Sequence, residues 1–106
     1  MPLVDLKNIK EKEILPGLNV RFVHSDNMTL AYWRFDPGVE LPLHSHPHEQ
    51  VVNVIEGELE LTLDKETLRL TPGKVVVIPS EVPHSGKALN ACRVIDVFYP
   101  IREDYK

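Results

Sequence analysis

The sequence lacks several features that would point to particular classes of protein. It has one cysteine, Cys92, so no internal disulfide can form and nothing favours an oxidising compartment. No apolar run reaches membrane-spanning length, and residues 1–13 lack the apolar stretch that a signal peptide needs. We therefore expect a cytoplasmic protein that does not enter a membrane.

The chain also lacks a strong charge of either sign. Its formal net charge is −4 at pH 7, and its lysines are scattered rather than clustered. Such a chain offers no basic surface for a phosphate backbone, so we expect no nucleic-acid partner. With 106 residues, of which 42% are hydrophobic, it is long enough for one core. The sequence therefore predicts a single folded domain over residues 1–106.

Short apolar runs separated by turn residues predict an all-β fold. The runs are residues 20–24, 29–35, 50–55, 58–63, 67–70, 74–78 and 92–98. Alternation of apolar and polar residues in 58–64 is typical of a half-buried strand. Turn residues stand at 36–38, 56–57, 64–66 and 71–73, which indicates hairpins that close a sandwich or barrel. Only residues 6–15 favour a short helical turn, with Pro16 and Gly17 ending it.

Four of the five histidines lie in residues 44–48 and at position 84. In an extended segment, His44 and His46 point to the same side because side chains alternate across a strand. Two imidazoles on one side are a chelating pair that suits zinc, copper, iron or nickel. An amide or carboxylate oxygen can complete such a set of ligands.

The spacing of these residues resembles both motifs of the cupin family. The first motif is matched by Gly38, His44, His46, Gln50 and Gly57, and the second by Gly73, Pro79 and His84. The resemblance covers the whole chain and implies a double-stranded β-helix, or jelly-roll barrel. It also implies one divalent metal ion held by His44, His46, Gln50 and His84.

Three positions differ from the usual motifs. Gln50 replaces a glutamate, Glu81 a glycine and Ala88 an asparagine. Glutamine can ligate through its carbonyl oxygen but cannot take a proton as a carboxylate does. Four neutral ligands would leave the ion its full charge and favour an anionic substrate. The ligand set is compatible with nickel, zinc, iron, manganese or copper.

The end of the chain resembles a narrower group. Residues 96–105 are similar to the ending of the small KdgF-type cupins of pectin degradation, which share the His-Pro-His-Glu-Gln run at 46–50. That resemblance implies conversion of ring-form unsaturated uronates, released by pectate and alginate lyases, into linear 4-deoxy-5-keto uronates. It implies catalytic roles for Asp96 and Arg102 and substrate contacts from Phe98 and Arg102.

Structural alternatives exist for several of these residues. Asp96 could instead belong to an ion pair, since a carboxylate between apolar strand residues needs a partner. Arg102 could be a surface cation, and His48 a bystander or a support for a ligand. Gln50 could simply be the first residue of a strand. The residues interpreted as structural or solvated are His24, Tyr32, Trp33, Phe35, Cys92, Glu103 and Asp104, although one of the three aromatic residues could line the mouth of the cavity.

Three functions remain compatible with the sequence. The first is an enzyme acting on a small anionic sugar, as the resemblance implies. The second is a metal-dependent dioxygenase, and the third is a sugar-acid-binding or sensing module without catalysis. Fold by itself does not decide among them. Because open sheets leave unpaired edges that a second copy can cover, we also expect a homodimer.

Overall fold

The computed structural model describes residues 3–106 and consists almost entirely of strands. Within these residues, ten strands follow one another: β1 Lys12–Leu15, β2 Leu18–His24, β3 Thr29–Phe35, β4 Glu40–His44, β5 Glu49–Glu56, β6 Leu59–Leu63, β7 Glu66–Leu70, β8 Val75–Ile78, β9 His84–Ala88 and β10 Cys92–Tyr99. Two 3₁₀ helices, Leu6–Asn8 and Glu103–Tyr105, flank the strands. No helix in the described part is long and apolar enough to cross a membrane.

The strands form two antiparallel sheets that enclose the core. The larger sheet has the order β1-β2-β3-β10-β5-β8, and the smaller has β4-β9-β6-β7. From β3 onwards the chain passes repeatedly from one sheet to the other, so residues distant in sequence meet across the interior. The predicted all-β jelly-roll fold is confirmed.

Period-two alternation decides which side chains enter the core. On β10, Cys92, Val94, Asp96 and Phe98 are buried, whereas the residues between them are half-buried or exposed. The buried apolar set also contains Leu18, Val20, Ala31, Trp33, Phe35, Val52, Val54, Leu59, Leu61, Leu70, Ile78 and Ala88. Asp96 is therefore a carboxylate on an otherwise apolar strand face.

Glycines and one aspartate set the predicted turns. Gly38, Gly57 and Gly73 have φ of 83°, 84° and 92°, and Asp64 has φ of 52°. Glycine adopts this left-handed region without a steric penalty. At Gly57 the space is also closed, because a Cβ there would collide with the backbone carbonyl of Ala91.

The N-terminal segment departs from the expectation. Only Leu6–Asn8 of the expected helical turn over residues 6–15 is helical, and Lys12–Leu15 is β1, paired with β2. Strand pairing is favoured because it provides hydrogen bonds for the backbone N–H and C=O groups and packs Leu15 against the core. Strands β4 and β9 were also missed, since Pro42 in β4 and the Ser, Gly and Lys residues of β9 favour strands poorly. Pairing of β9 with β4 and β6 overrides that preference.

Candidate metal centre and adjoining cavity

Three histidines converge between the two sheets. His44 ends β4 and pairs across the ladder with His84, the first residue of β9, and His46 lies in the loop before β5. One ring nitrogen from each lies within 4.8 Å of those of the other two. His46 and His84 are buried, whereas His44 is exposed. The sequence prediction that these side chains come together is confirmed.

Backbone carbonyls determine which ring nitrogen of each histidine faces the cluster. Nδ1 lies 2.7 Å from Pro42 O in His44, 2.9 Å from His48 O in His46 and 2.9 Å from Val82 O in His84. A carbonyl oxygen only accepts hydrogen bonds, so each Nδ1 carries the proton and donates. In its neutral form, each ring thus keeps the Nε2 lone pair for a metal ion.

Burial favours the neutral form of two of these rings, His46 and His84. It lowers the pKa of His84 to about 4, and it lowers the pKa of His46 together with the nearby charge of Arg102. Nε2 of His84 is buried and has no hydrogen-bond partner among the described residues. An unpaired polar atom in such a position costs free energy unless something binds it.

The contact between His46 and Gln50 gives the sharpest test of fit to a metal ion. His46 Nε2 lies 3.0 Å from Gln50 Oε1, while Gln50 Nε2 donates to Asp96 Oδ2 at 2.8 Å. Because Nδ1 holds the proton of His46, two lone pairs face each other across this gap. Two acceptors in contact call for a cation between them, and nitrogen and amide ligands suit a divalent transition metal. The residues present therefore fit the ion that the sequence predicts.

Asp96 lies directly behind Gln50. It is 7% exposed, its Oδ1 has no hydrogen-bond partner among the described residues, and no cation forms an ion pair with it there. Burial raises its pKa to about 7, although the hydrogen bond from Gln50 and the nearby indole of Trp33 oppose the shift. The carboxyl group can thus hold or release a proton near neutral pH.

Arg102 is buried beside the same cavity. Its guanidinium lies over the rings of Phe98, at 4.8 Å, and Tyr105, at 4.1 Å. Nε and Nη2 donate to the carboxylate of Asp104 at 3.0 and 2.7 Å. Asp104 is exposed, as expected, and pairs with Arg102 from the solvent side. The remaining N–H groups of Arg102 can still reach an anion in the cavity.

A cavity of about 240 Å³ joins these groups. Its polar lining includes the histidine cluster, Gln50, Asp96 and Arg102. The walls are mostly apolar and include Leu18, Trp33, Phe35, Leu41, Val52, Leu59, Leu61, Val94 and Phe98. Such a volume is smaller than typical pockets for drug-sized ligands, so it suits one small molecule.

The other residues considered in the sequence lie outside the cluster of metal ligands. Those with structural contacts include His24, which contacts Thr29 Oγ1 at 2.8 Å, and Cys92, whose thiol is buried. His48 supports His46 through its backbone carbonyl, but its ring does not join the cluster. The sequence left open that one of Tyr32, Trp33 and Phe35 lines the cavity, and Trp33 and Phe35 do so. The cavity position of Tyr105 was not expected, and no local pattern indicated it.

Comparison with known proteins agrees with this geometry. The family model described as a cupin domain matches residues 31–98, which contain the histidine cluster, Gln50 and Asp96. The chain is a cupin. Two solved cupin structures resemble it over nearly their full lengths. KdgF from Halomonas sp. is 31% identical, with a TM-score of 0.87, covering 92% of this chain and 91% of that one. An RmlC-like cupin from Shewanella frigidimarina is 28% identical, with a TM-score of 0.94, covering 100% and 96%.

A curated relative has a different description. This cupin is 28% identical over 91 residues to the HTH-type transcriptional regulator PuuR of Escherichia coli K12. The match covers 79% of this chain and 49% of the regulator, so the chain spans about half the length of that relative. The chain therefore matches solved structures of about its own length and also part of a longer protein.

Proposed function

We propose that this cupin is a metal-dependent enzyme that opens ring-form unsaturated uronates and converts them into linear 4-deoxy-5-keto uronates. The contact of Gln50 with both His46 and Asp96 carries the proposal, at 3.0 Å and 2.8 Å. A group able to move protons thus adjoins the set of metal ligands in the same cavity. Similarity to KdgF over 92% of the chain supports this choice of substrate.

The proposed ligands of the metal ion are His44, His46, His84 and Gln50. The ion is one divalent transition metal, with nickel, zinc, iron, manganese and copper all compatible with these ligands. When bound, it would polarise substrate oxygens and stabilise developing negative charge. Because every ligand is neutral, the site should favour an anion such as a sugar carboxylate.

Asp96 is the proposed proton carrier. The overall reaction is an isomerisation in which the anomeric hydroxyl loses a proton, the bond from the anomeric carbon to the ring oxygen breaks, and C4 of the resulting enol gains a proton. No oxidant or reductant is needed. A carboxyl group with a pKa near 7 can accept the first proton and return it to carbon.

Arg102 and Phe98 are the proposed substrate contacts. The guanidinium is held over the Phe98 ring and by Asp104, so little side-chain freedom is lost when it meets a carboxylate. The Phe98 ring also lies 5.7 Å from the ring of His46, where it can pack against one face of a sugar. Together these groups would orient the substrate relative to Asp96.

The substitution Asp96→Asn tests this assignment. Conversion of unsaturated uronates removes their ultraviolet absorbance, so turnover is read directly as absorbance loss. We expect Asp96→Asn to lower turnover by about 100-fold or more, because general acid–base catalysis contributes this much. Metal content, measured by elemental analysis, should stay at the wild-type level.

Asp26→Asn is the matched control, because Asp26 is an exposed carboxylate outside the cavity. It should leave turnover unchanged. Wild-type turnover by the Asp96→Asn variant would refute the role of Asp96. Absence of turnover by the metal-loaded wild-type protein would refute the reaction itself.

The similarity to PuuR favours a second candidate function, a ligand-sensing domain. In that case the cavity would bind a small anion without changing it. Calorimetric titration with an unsaturated uronate, followed by analysis of the recovered ligand, distinguishes the two. Saturable binding with unaltered ligand supports sensing, whereas recovery of the linear keto acid supports the enzyme.

A further inference from the structure

Two residues that line the cavity each have a buried polar atom without an ordinary hydrogen bond. Trp33 Nε1 and Asp96 Oδ1 are both buried and both lack a hydrogen-bond partner among the described residues. Trp33 is 8% exposed and Asp96 is 7% exposed, and both line the cavity. One is a donor and the other an acceptor.

The strand register explains why these two atoms are neighbours. Asp96 on β10 pairs with Ala31 on β3, and Trp33 is the next inward-facing residue along β3. Diagonal neighbours of this kind lie within reach when one side chain is aromatic. The indole N–H lowers the pKa of Asp96 as a weak hydrogen-bond donor to its carboxylate, so the two groups are close, but their contact lacks the geometry of an ordinary hydrogen bond.

Aromatic packing holds the indole in this orientation. The Trp33 ring meets Phe22 edge to face at 5.9 Å and Tyr105 at 6.4 Å, and it lies 6.4 Å from Phe35. The N–H is therefore a preorganised donor rather than a mobile one. A buried donor and acceptor held in so weak a contact cost free energy in the free protein, and a ligand that pairs both with good geometry recovers it.

We infer that Trp33 Nε1 and Asp96 Oδ1 form a subsite for a hydroxyl group of the substrate, with Trp33 as a specificity-determining residue. A hydroxyl oxygen accepts from the indole and its proton is donated to the carboxylate, so one group pairs both atoms. A carbonyl or ether oxygen pairs only the indole. A water molecule would find two partners here where buried waters usually have about three.

This inference rests on the proposed function only in taking the cavity as the substrate site. It adds that the substrate carries a hydroxyl on the side away from its metal-binding end. The other walls of the cavity are mostly apolar, so this hydroxyl is the feature by which the subsite would select among small acids of similar size.

The test compares two acids of equal size, 4-hydroxybutanoate and pentanoate, which differ by a terminal hydroxyl in place of a methyl. Dissociation constants are measured by calorimetry on zinc-loaded wild type and on Trp33→Phe. We expect the ratio of the pentanoate constant to the 4-hydroxybutanoate constant to fall about tenfold in Trp33→Phe, as loss of one hydrogen bond predicts. Both acids share any loss of packing, so the ratio isolates the hydroxyl.

Val94→Ala is the control, because Val94 pairs with Trp33 across the strands and lines the same cavity without a polar group. Its ratio should stay within about twofold of wild type, since only packing changes. An unchanged ratio in Trp33→Phe would overturn the subsite.

A second measurement needs no substitution. Trp33 is the only tryptophan, so the protein has one indole N–H resonance in a ¹H–¹⁵N spectrum. We expect 4-hydroxybutanoate to move this resonance downfield and pentanoate to move it far less. A resonance that does not respond to 4-hydroxybutanoate would overturn the proposal. Neither readout involves uronate turnover, so the subsite and the proposed reaction can fail independently.

Discussion

At the level of single residues, Gln50 changes the chemistry of the site, because the first cupin motif usually has a glutamate at this position. An amide donates with its nitrogen and accepts with its oxygen, so Gln50 contacts Asp96 and His46 at the same time. A glutamate in its place would meet Asp96 as a second carboxylate, and the two negative charges would repel each other. The amide therefore allows a buried carboxyl group beside the ligands and leaves proton transfer to Asp96.

The stability of the metal-free protein should depend on pH through Asp96. Burial raises its pKa from the ordinary 3.8 to about 7, so between these values the folded state keeps a proton that the unfolded chain releases. Raising the pH through this window lowers the free energy of unfolding. Asp96→Asn has no such cost, so it should match wild type near pH 4 and exceed it by roughly 2 to 4 kcal/mol near pH 8.

Urea unfolding in the presence of a chelator measures this difference. The lowered pKa of His84 acts in the opposite direction, because the unfolded chain binds a proton below pH 6.5 that the folded state excludes down to about pH 4. That effect is common to both proteins and cancels in the comparison. A stability difference that does not change between pH 4 and pH 8 would contradict the raised pKa of Asp96.

At the level of secondary-structure elements, the turns between strands determine the register in which neighbouring strands pair. Gly57 joins β5 to β6 and Gly73 joins β7 to β8, and both have positive φ. Only Gly57 is closely surrounded, by Ala91, Asn90 and Cys92, whereas nothing lies within 4 Å of a Cβ at Gly73. Both glycines therefore have a positive φ, but only Gly57 also has neighbours that leave no room for a Cβ.

Alanine substitutions separate the two effects. Gly73→Ala should cost about 1 to 2 kcal/mol of unfolding free energy, the price of left-handed backbone in a residue with a Cβ. Gly57→Ala should cost at least about 2 kcal/mol more, because the Cβ also meets the Ala91 carbonyl. Denaturant unfolding provides both values, and equal losses would show that the turn relaxes freely around residue 57.

The metal ligands connect both sheets at the level of the whole molecule. His44 and His84 belong to the smaller sheet and Gln50 to the larger, with His46 in the loop between them. An ion bound by all four would join segments that separate on unfolding. Binding to the folded state alone stabilises it by mass action.

Metal addition should therefore raise the melting temperature. At a free zinc concentration 100-fold above the dissociation constant, the gain is about 2.7 kcal/mol, or roughly 10 °C or more for a chain of this size. A chelator should reverse the shift. His84→Ala should abolish it, while His24→Ala, outside the cluster, should retain it. A zinc-induced rise of equal size in His84→Ala would exclude the proposed site.

Self-association remains a prediction at the same scale. Strand β8 lies at the edge of the larger sheet, and its Val75 and Val77 are 54% and 55% exposed. Antiparallel pairing of two copies of this edge would be symmetric and would cover both valines. Light scattering should give about twice the chain mass of 12.1 kDa.

Val77→Lys should shift the protein to the monomer, because it places a charge in that contact. Leu89→Lys is the control, since Leu89 is a partly exposed apolar residue outside β8. It should leave the measured mass unchanged. A monomeric wild type would refute the expected homodimer.

The amino-acid sequence by itself determined the all-β class, the positions of most turns and the three histidines of the cluster. The all-β class and the turns depend on local rules, namely side-chain alternation and turn chemistry, whereas the three histidines were grouped by their resemblance to the cupin motifs. Only the tertiary structure decided that Lys12–Leu15 is a strand, that Asp104 binds Arg102, and that Trp33 and Asp96 leave unpaired atoms in one cavity. These contacts arise from pairing between distant strands and from burial, which no local pattern specifies.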